Sequence, residues 1–165
     1  IPSQAATTTD DRTTDFGLFM FAHTYWEAAS KMEDIKFTSR HRNAPIRFLY
    51  CHAVELFLKA FLRSQNFSLQ EVKSMGHDLK KVGEEAKRRG LKIDEENLAV
   101  LQWITGHNLK NRYIEVGVQS GPSNETLWCL CSLLFELTGE ELLRLGRTRR
   151  LPLQPDHPIE LQLDL

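Results

Sequence analysis

Arg47-Phe48-Leu49-Tyr50-Cys51-His52-Ala53-Val54-Glu55-Leu56-Phe57-Leu58-Lys59-Ala60-Phe61-Leu62 is apolar around nearly its whole circumference when wound as a helix. A helix apolar on all sides is a central, buried one. Four polar residues nevertheless interrupt it: Arg47, His52, Glu55 and Lys59. Charged side chains are almost never fully buried unless paired, so these groups need partners or a job. Glu55 and Lys59 stand four apart with Glu first, the favourable order for a helical ion pair. A removed partner in a buried pair costs roughly 3–5 kcal/mol.

Helical signals continue on both sides of this rod. Phe19, Ala22, His23, Trp26, Ala29 and Met32 form a three-and-four-spaced stripe, which predicts an amphipathic helix from about residue 16 to 34. Thr14 or Asp15 is its expected cap. A loop follows, with Lys36, Arg40, His41 and Arg42, and Pro45 suits the first turn of the central helix. Asn66, Phe67 and Ser68 end that helix. Ser68 with Glu71 matches a capping box for a short helix. Gly76 breaks the chain and Asp78 caps the next helix, with Leu79, Val82 and Ala86 inside and Gly90 at its end. Another helix starts at Asp94. Ser123 or Asn124 caps a last long helix that Gly146 stops. With no set of strands in evidence, the prediction is an all-α, up-and-down bundle of four to five helices.

Residues 1–14 read as a flexible polar leader without the apolar core of a signal peptide, residues 15–146 as the bundle, and residues 147–165 as a basic, proline-containing arm with a short extended piece at 159–163. The arm carries Arg147, Arg149 and Arg150, then Pro152, Pro155 and Pro158, and cannot be the interior of a helix. The chain has 165 residues, a net charge of −1 and 26% charged residues, so no global basic field points to nucleic acid. No apolar run reaches membrane-spanning length, which places the expected protein in the cytoplasm, away from membranes. Cys51, Cys129 and Cys131 lie in apolar runs and read as buried, reduced thiols. Trp26, Trp103 and Trp128 are expected in the core. The six histidines match no zinc spacing, so neither a metal nor another cofactor is expected.

Three elements in order resemble the HEPN domain family: the aliphatic helix with Glu55-x-x-x-Lys59-Ala60, the Gly76-His77-Asp78-Leu79 opening, and Asn111-Arg112-Tyr113 after a helix. The resemblance covers about residues 16 to 146. It implies a helical bundle that forms a homodimer. Many members are metal-independent ribonucleases that use an Arg-x4–6-His motif across a shared cleft, and others bind or assemble without it. Here the late position reads Arg112-Tyr113-Ile114-Glu115 with no His within six residues. The Arg-x4-His match is Arg47 to His52, on the central helix.

Two functions follow. One is a binding module for RNA, a nucleotide or a protein partner, without catalysis of its own, and this reading is placed first. The other is a ribonuclease of toxin–antitoxin or defence type, with His52 as general acid or base and Arg47 on the phosphoryl charge. Five residues of helix rotate by about 140°, so these two side chains do not share a face within one chain. The plain alternative is a solvated Arg47 and a packed His52. Glu55 and Lys59 line a ligand cleft, or form an internal salt bridge that His77 joins. Lys110 and Arg112 hold a phosphate and Tyr113 stacks on a base, or the cluster answers a helix C-terminal dipole.

Overall fold

The computed structural model describes residues 12–38, 40–112 and 121–158, with residues 106–112 described in their backbone. Six helices make up the described chain: α1 Asp15–Glu33, α2 Asn43–Ser64, α3 Leu69–Ser74, α4 Leu79–Arg88, α5 Glu95–Arg112 and α6 Asn124–Arg144. There is no strand among the described residues. These are the six segments that periodicity and capping marked out, one more than the four to five helices expected of the bundle, with the six-residue α3 the shortest. The fold is an all-α helical bundle.

Local chemistry sets the helix ends. Thr14 Oγ1 accepts from the Gly17 amide at 2.9 Å, so Thr14 is the cap of α1. Ser68 and Glu71 form both halves of the capping box on α3. Asp78 caps α4 through the Lys81 amide, and Ser123 caps α6 through the Thr126 amide. Each cap satisfies an amide that the first helical turn leaves without an intrahelical partner. At the other end of α6, the Gly146 amide reaches Leu143 O and the Arg147 amide reaches Leu142 O. This Schellman end needs a left-handed residue, and Gly146 supplies it at φ 69°. Asn66 does the same for α2 at φ 67°.

α2 packs against each of the other five helices. Tyr50, Ala53, Val54, Phe57, Leu58, Ala60 and Leu62 are fully buried along it, over more than half of its circumference, while Phe48 is exposed and His52 and Leu56 are only partly covered on the remaining face. α1 lies antiparallel to α2, with Phe19 edge-on to Phe57 at 5.3 Å near one end and the Tyr50 hydroxyl donating to Glu33 at the other. α6 runs parallel to α2: Asn43 meets Asn124, Tyr50 O accepts from Cys131, and Thr138 bonds Phe57 O. α4 and α5 form an antiparallel pair, in which the Lys80 amide meets Thr105 and Gly83 lies beneath Leu101. Phe19, Trp26, Phe57 and Phe135 make the aromatic centre where α1, α2 and α6 meet. Buried aromatic pairs of this kind are worth about 0.5–1.5 kcal/mol beyond the area they cover.

Two core expectations are corrected. Trp103 is exposed, because α5 contacts the bundle mainly along Leu101 and Ile104 and position 103 turns away from them. Cys129 is exposed as well, whereas Cys51 and Cys131 are buried. Two residues apart on a helix means about 200° of rotation, so Cys131 in the core sends Cys129 outward. Burial pushes the Cys131 thiol well above its ordinary value.

Candidate functional site

The polar residues of α2 separate into two places. Glu55 and Lys59 form an ion pair of 2.6 Å on the face toward α3 and α4, with side chains only 8% and 11% exposed. Lys59 Nζ also donates to Gly76 O at 2.8 Å. His77 Nδ1 lies 3.0 Å from both carboxylate oxygens of Glu55 and donates to them, with its ring 55% exposed. Gly76 takes φ 65°, which turns its carbonyl onto Lys59 just before Asp78 caps α4. The cluster therefore ties the middle of α2 to the entry of α4. Burial pushes the Glu55 carboxyl up, but the hydrogen bonds from Lys59 and then His77, with their charges, outweigh it and hold Glu55 below the usual carboxylate range. Sequence spacing anticipated the pair and the His77 contact. The Gly76 carbonyl was missed, since no sequence signal shows where a backbone carbonyl points.

This arrangement is internally complete on one side and open on the other. Lys59 places two of its three donors on Glu55 and Gly76 and is itself nearly buried, which leaves the half-exposed His77 ring as the part that most meets solvent.

Arg47 and His52 occupy a different region. His52 lies edge-on to Tyr25 of α1 at 4.5 Å and parallel to Phe48 at 6.1 Å. Tyr25 and Phe21 are one turn apart on α1, so Phe21, Tyr25, His52 and Phe48 form a strip along the outside of the α1–α2 pair. Phe21 is 63% exposed and Phe48 53%. Arg47 is half-buried, with a buried Nε that carries no hydrogen bond. The structure does not bring Arg47 to the Glu55 cluster by any described contact. The strip escaped sequence reading because Phe19, Ala22 and Trp26 claimed the apolar stripe of α1. Phe21 and Tyr25, four apart on another face, were its signal.

The late cluster stands apart from both. Lys110 and Arg112 lie in the last turns of α5, which continues seven residues past Thr105 beyond the start of α4. Tyr113 lies outside the described residues, as does the extended piece expected at 159–163. The basic clusters flank α1 at its two ends. Arg42 donates to Glu33 O, and Arg147 pairs with Asp15 at 2.9 Å. Nineteen residues of helix set those ends about 28 Å apart. A shallow cleft of about 260 Å³ opens at the far end of α4 from His77, over Phe61, Leu91 and Leu137. Its Arg144 is engaged by Glu141 at 2.7 Å. No group of three metal-ligating side chains exists among the described residues, and no described helix is long and apolar enough to cross a membrane.

Comparison with known proteins finds no matching family model, no similar curated protein and no similar solved structure.

Proposed function

We propose that this chain is a HEPN-like helical module that binds a protein partner, in the first instance a second copy of itself, and carries no catalysis of its own. The observation behind this reading is the exposed strip of Phe21, Tyr25, His52 and Phe48 on the α1–α2 pair. Large aromatics exposed together mark an interaction surface rather than random surface apolarity. Positions one turn beyond the strip are Gly17 and Leu18, Ala28 and Ala29, Ala44 and Pro45, and Leu56 with the buried, paired Glu55, none of them a cation. A phosphate backbone calls for cations beside its stacking platform, so a protein surface suits this strip better than RNA. The ion cluster at Glu55 supports the same reading: Lys59 is committed to internal partners, so the cluster serves as scaffold.

A second reading rests on the same strip. If two copies meet along it, His52 of each comes to the seam, and Arg47 of one copy can face His52 of the other. That is the arrangement a metal-independent ribonuclease of this family type uses. One experiment separates the two. The full chain is examined by light scattering across a concentration series, as wild type and as Phe48→Glu, and is incubated with labelled RNA and chelator beside His52→Ala and Arg47→Ala. The binding reading expects a dimer that Phe48→Glu dissociates at unchanged helicity, and intact RNA throughout. Cleavage that both Arg47→Ala and His52→Ala abolish, in folded protein, establishes the ribonuclease instead. A monomer that binds RNA in a salt-dependent way overturns both.

A further inference from the structure

The proline-containing segment after Gly146 does not trail away from the bundle. It lies in the groove between α1 and α6, and its contacts recur with a period of three. Leu151 packs over Gly139, Gln154 bonds Ser132 at 2.7 Å and Glu136 at 3.1 Å, and His157 meets Trp128 edge-on at 4.4 Å. Positions 151, 154 and 157 therefore descend α6 in antiparallel sense. The carbonyls of Leu153 and Asp156 face α1 and accept from His23 Nε2 at 2.7 Å and from Ser30 Oγ at 2.8 Å. Pro152, Pro155 and Pro158 are the remaining set, each half-buried, while the side chains at 153 and 156 are exposed. Three residues per turn is the period of a polyproline II helix.

The spacings agree. His23 and Ser30 are two α-helical turns apart, about 10.5 Å. The carbonyls they hold are one polyproline turn apart, about 9.3 Å. The groove wall is aromatic, with Trp128 packed on Trp26 at 5.3 Å and on His157. The buried indole N–H of Trp128 carries no hydrogen bond, a donor unused by the resident segment. Aromatic walls with donors aimed at backbone carbonyls are how proline-rich segments are recognised, because the ligand enters already ordered.

We propose that the α1–α6 groove is a recognition site for a proline-rich segment of another polypeptide, and that residues 150–158 occupy it as a tethered competitor. A foreign segment fits because the groove holds carbonyls and half-buries the prolines, while the side chains at one position in three, 153 and 156, are exposed. This site lies on different residues of α1 from the Phe21–Tyr25 strip, so it stands or falls apart from the assembly reading.

The test uses the full chain and a fluorescent peptide with the sequence of residues 149–158. Leu151→Asp loosens the tethered segment, and binding is followed by anisotropy. Saturable binding to Leu151→Asp, at least tenfold weaker to wild type, and lost for a peptide with its three prolines replaced by alanine, is expected. Adding Ser30→Ala to Leu151→Asp weakens it further. Should Leu151→Asp lose helicity by circular dichroism, Gln154→Ala takes its place, since the Gln154 side chain hydrogen-bonds to Ser132 and Glu136 on α6. Absence of saturable binding to a loosened, folded chain overturns the proposal, as does equal binding of the alanine peptide. Light scattering tests the choice of partner: a wild-type dimer that excess peptide dissolves, and that Phe48→Glu leaves intact, assigns the groove to a second copy's own segment instead.

Discussion

Lys59→Met is the sharpest perturbation of the bundle. It removes the charge but keeps most of the stem, so the packing of α2 changes little. What remains is a Glu55 carboxylate with only 8% of its side chain exposed, held by His77 alone, and a Gly76 carbonyl without its donor. Breaking a buried pair from one side costs about 3–5 kcal/mol. The surviving His77 contact favours the lower end, about 3 kcal/mol on the same scale. For a chain of this size that corresponds to a fall in Tm of roughly 6–12 °C. The sign with pH also follows. Glu55 is held low in the native protein, so its contribution is fully present above the unfolded carboxylate value and is lost as pH falls through the folded one. Without Lys59 the carboxyl moves up, so the folded variant takes up a proton earlier. The gap between wild type and variant therefore narrows as pH falls from 7 toward 4. Urea melts of wild type, Lys59→Met and the double variant Glu55→Leu/Lys59→Met at pH 7 and pH 4.5 measure all of this. The double variant is expected to recover most of the loss, because an apolar pair leaves no unpaired charge. A single variant within 1 kcal/mol of wild type at pH 7 would show that the cluster is not energetically closed, and the scaffold argument would fail with it.

Four further outcomes are expected. Tyr50→Phe deletes the hydroxyl that Glu33 accepts from a fully buried ring, where burial and then the Glu33 hydrogen bond push the phenol above its ordinary value; chemical denaturation should report a loss of about 1–2 kcal/mol. Ser68→Ala removes the cap of α3 and half of its capping box, at a cost of about 1 kcal/mol, with faster amide exchange confined to residues 69–74. Gly83→Val drives a side chain into Leu101, whose Cδ1 already lies 2.4 Å from where a Cβ would sit, so overpacking of about 1–3 kcal/mol should appear in the melt. A thiol reagent should modify one cysteine per native chain, Cys129, and all three after unfolding, because Cys51 and Cys131 are buried; rapid native reaction at three thiols would contradict the packing of α6.

Much of the helical scaffold was legible from short-range chemistry. Ser68, Asp78 and Ser123 cap helices where their spacing to the following residues said they would, because a cap acts within one turn. The Glu55–Lys59 pair was legible for the same reason, four residues being one turn. Trp103 and Cys129 were misplaced because hydrophobicity marks a residue that prefers burial without saying whether another helix arrives to cover it. The prolines at 152, 155 and 158 displayed their period of three in the sequence and were read only as helix breakers. Their seat depends on His23 and Ser30, more than a hundred residues earlier, and no local rule joins such positions.

By itself the sequence determined that the chain folds as helices around one apolar rod, since turn-scale periodicity and capping are properties of neighbouring residues. Which faces were closed was decided only in the tertiary structure. There α6 came to lie beside α2, the Gly76 carbonyl turned onto Lys59, and the tail entered the α1–α6 groove while Phe21 and Phe48 stayed in water. The physical reason is that burial and hydrogen-bond completion belong to surfaces assembled from distant segments. A side chain's own identity states a preference, and only its neighbours in space settle whether that preference is met.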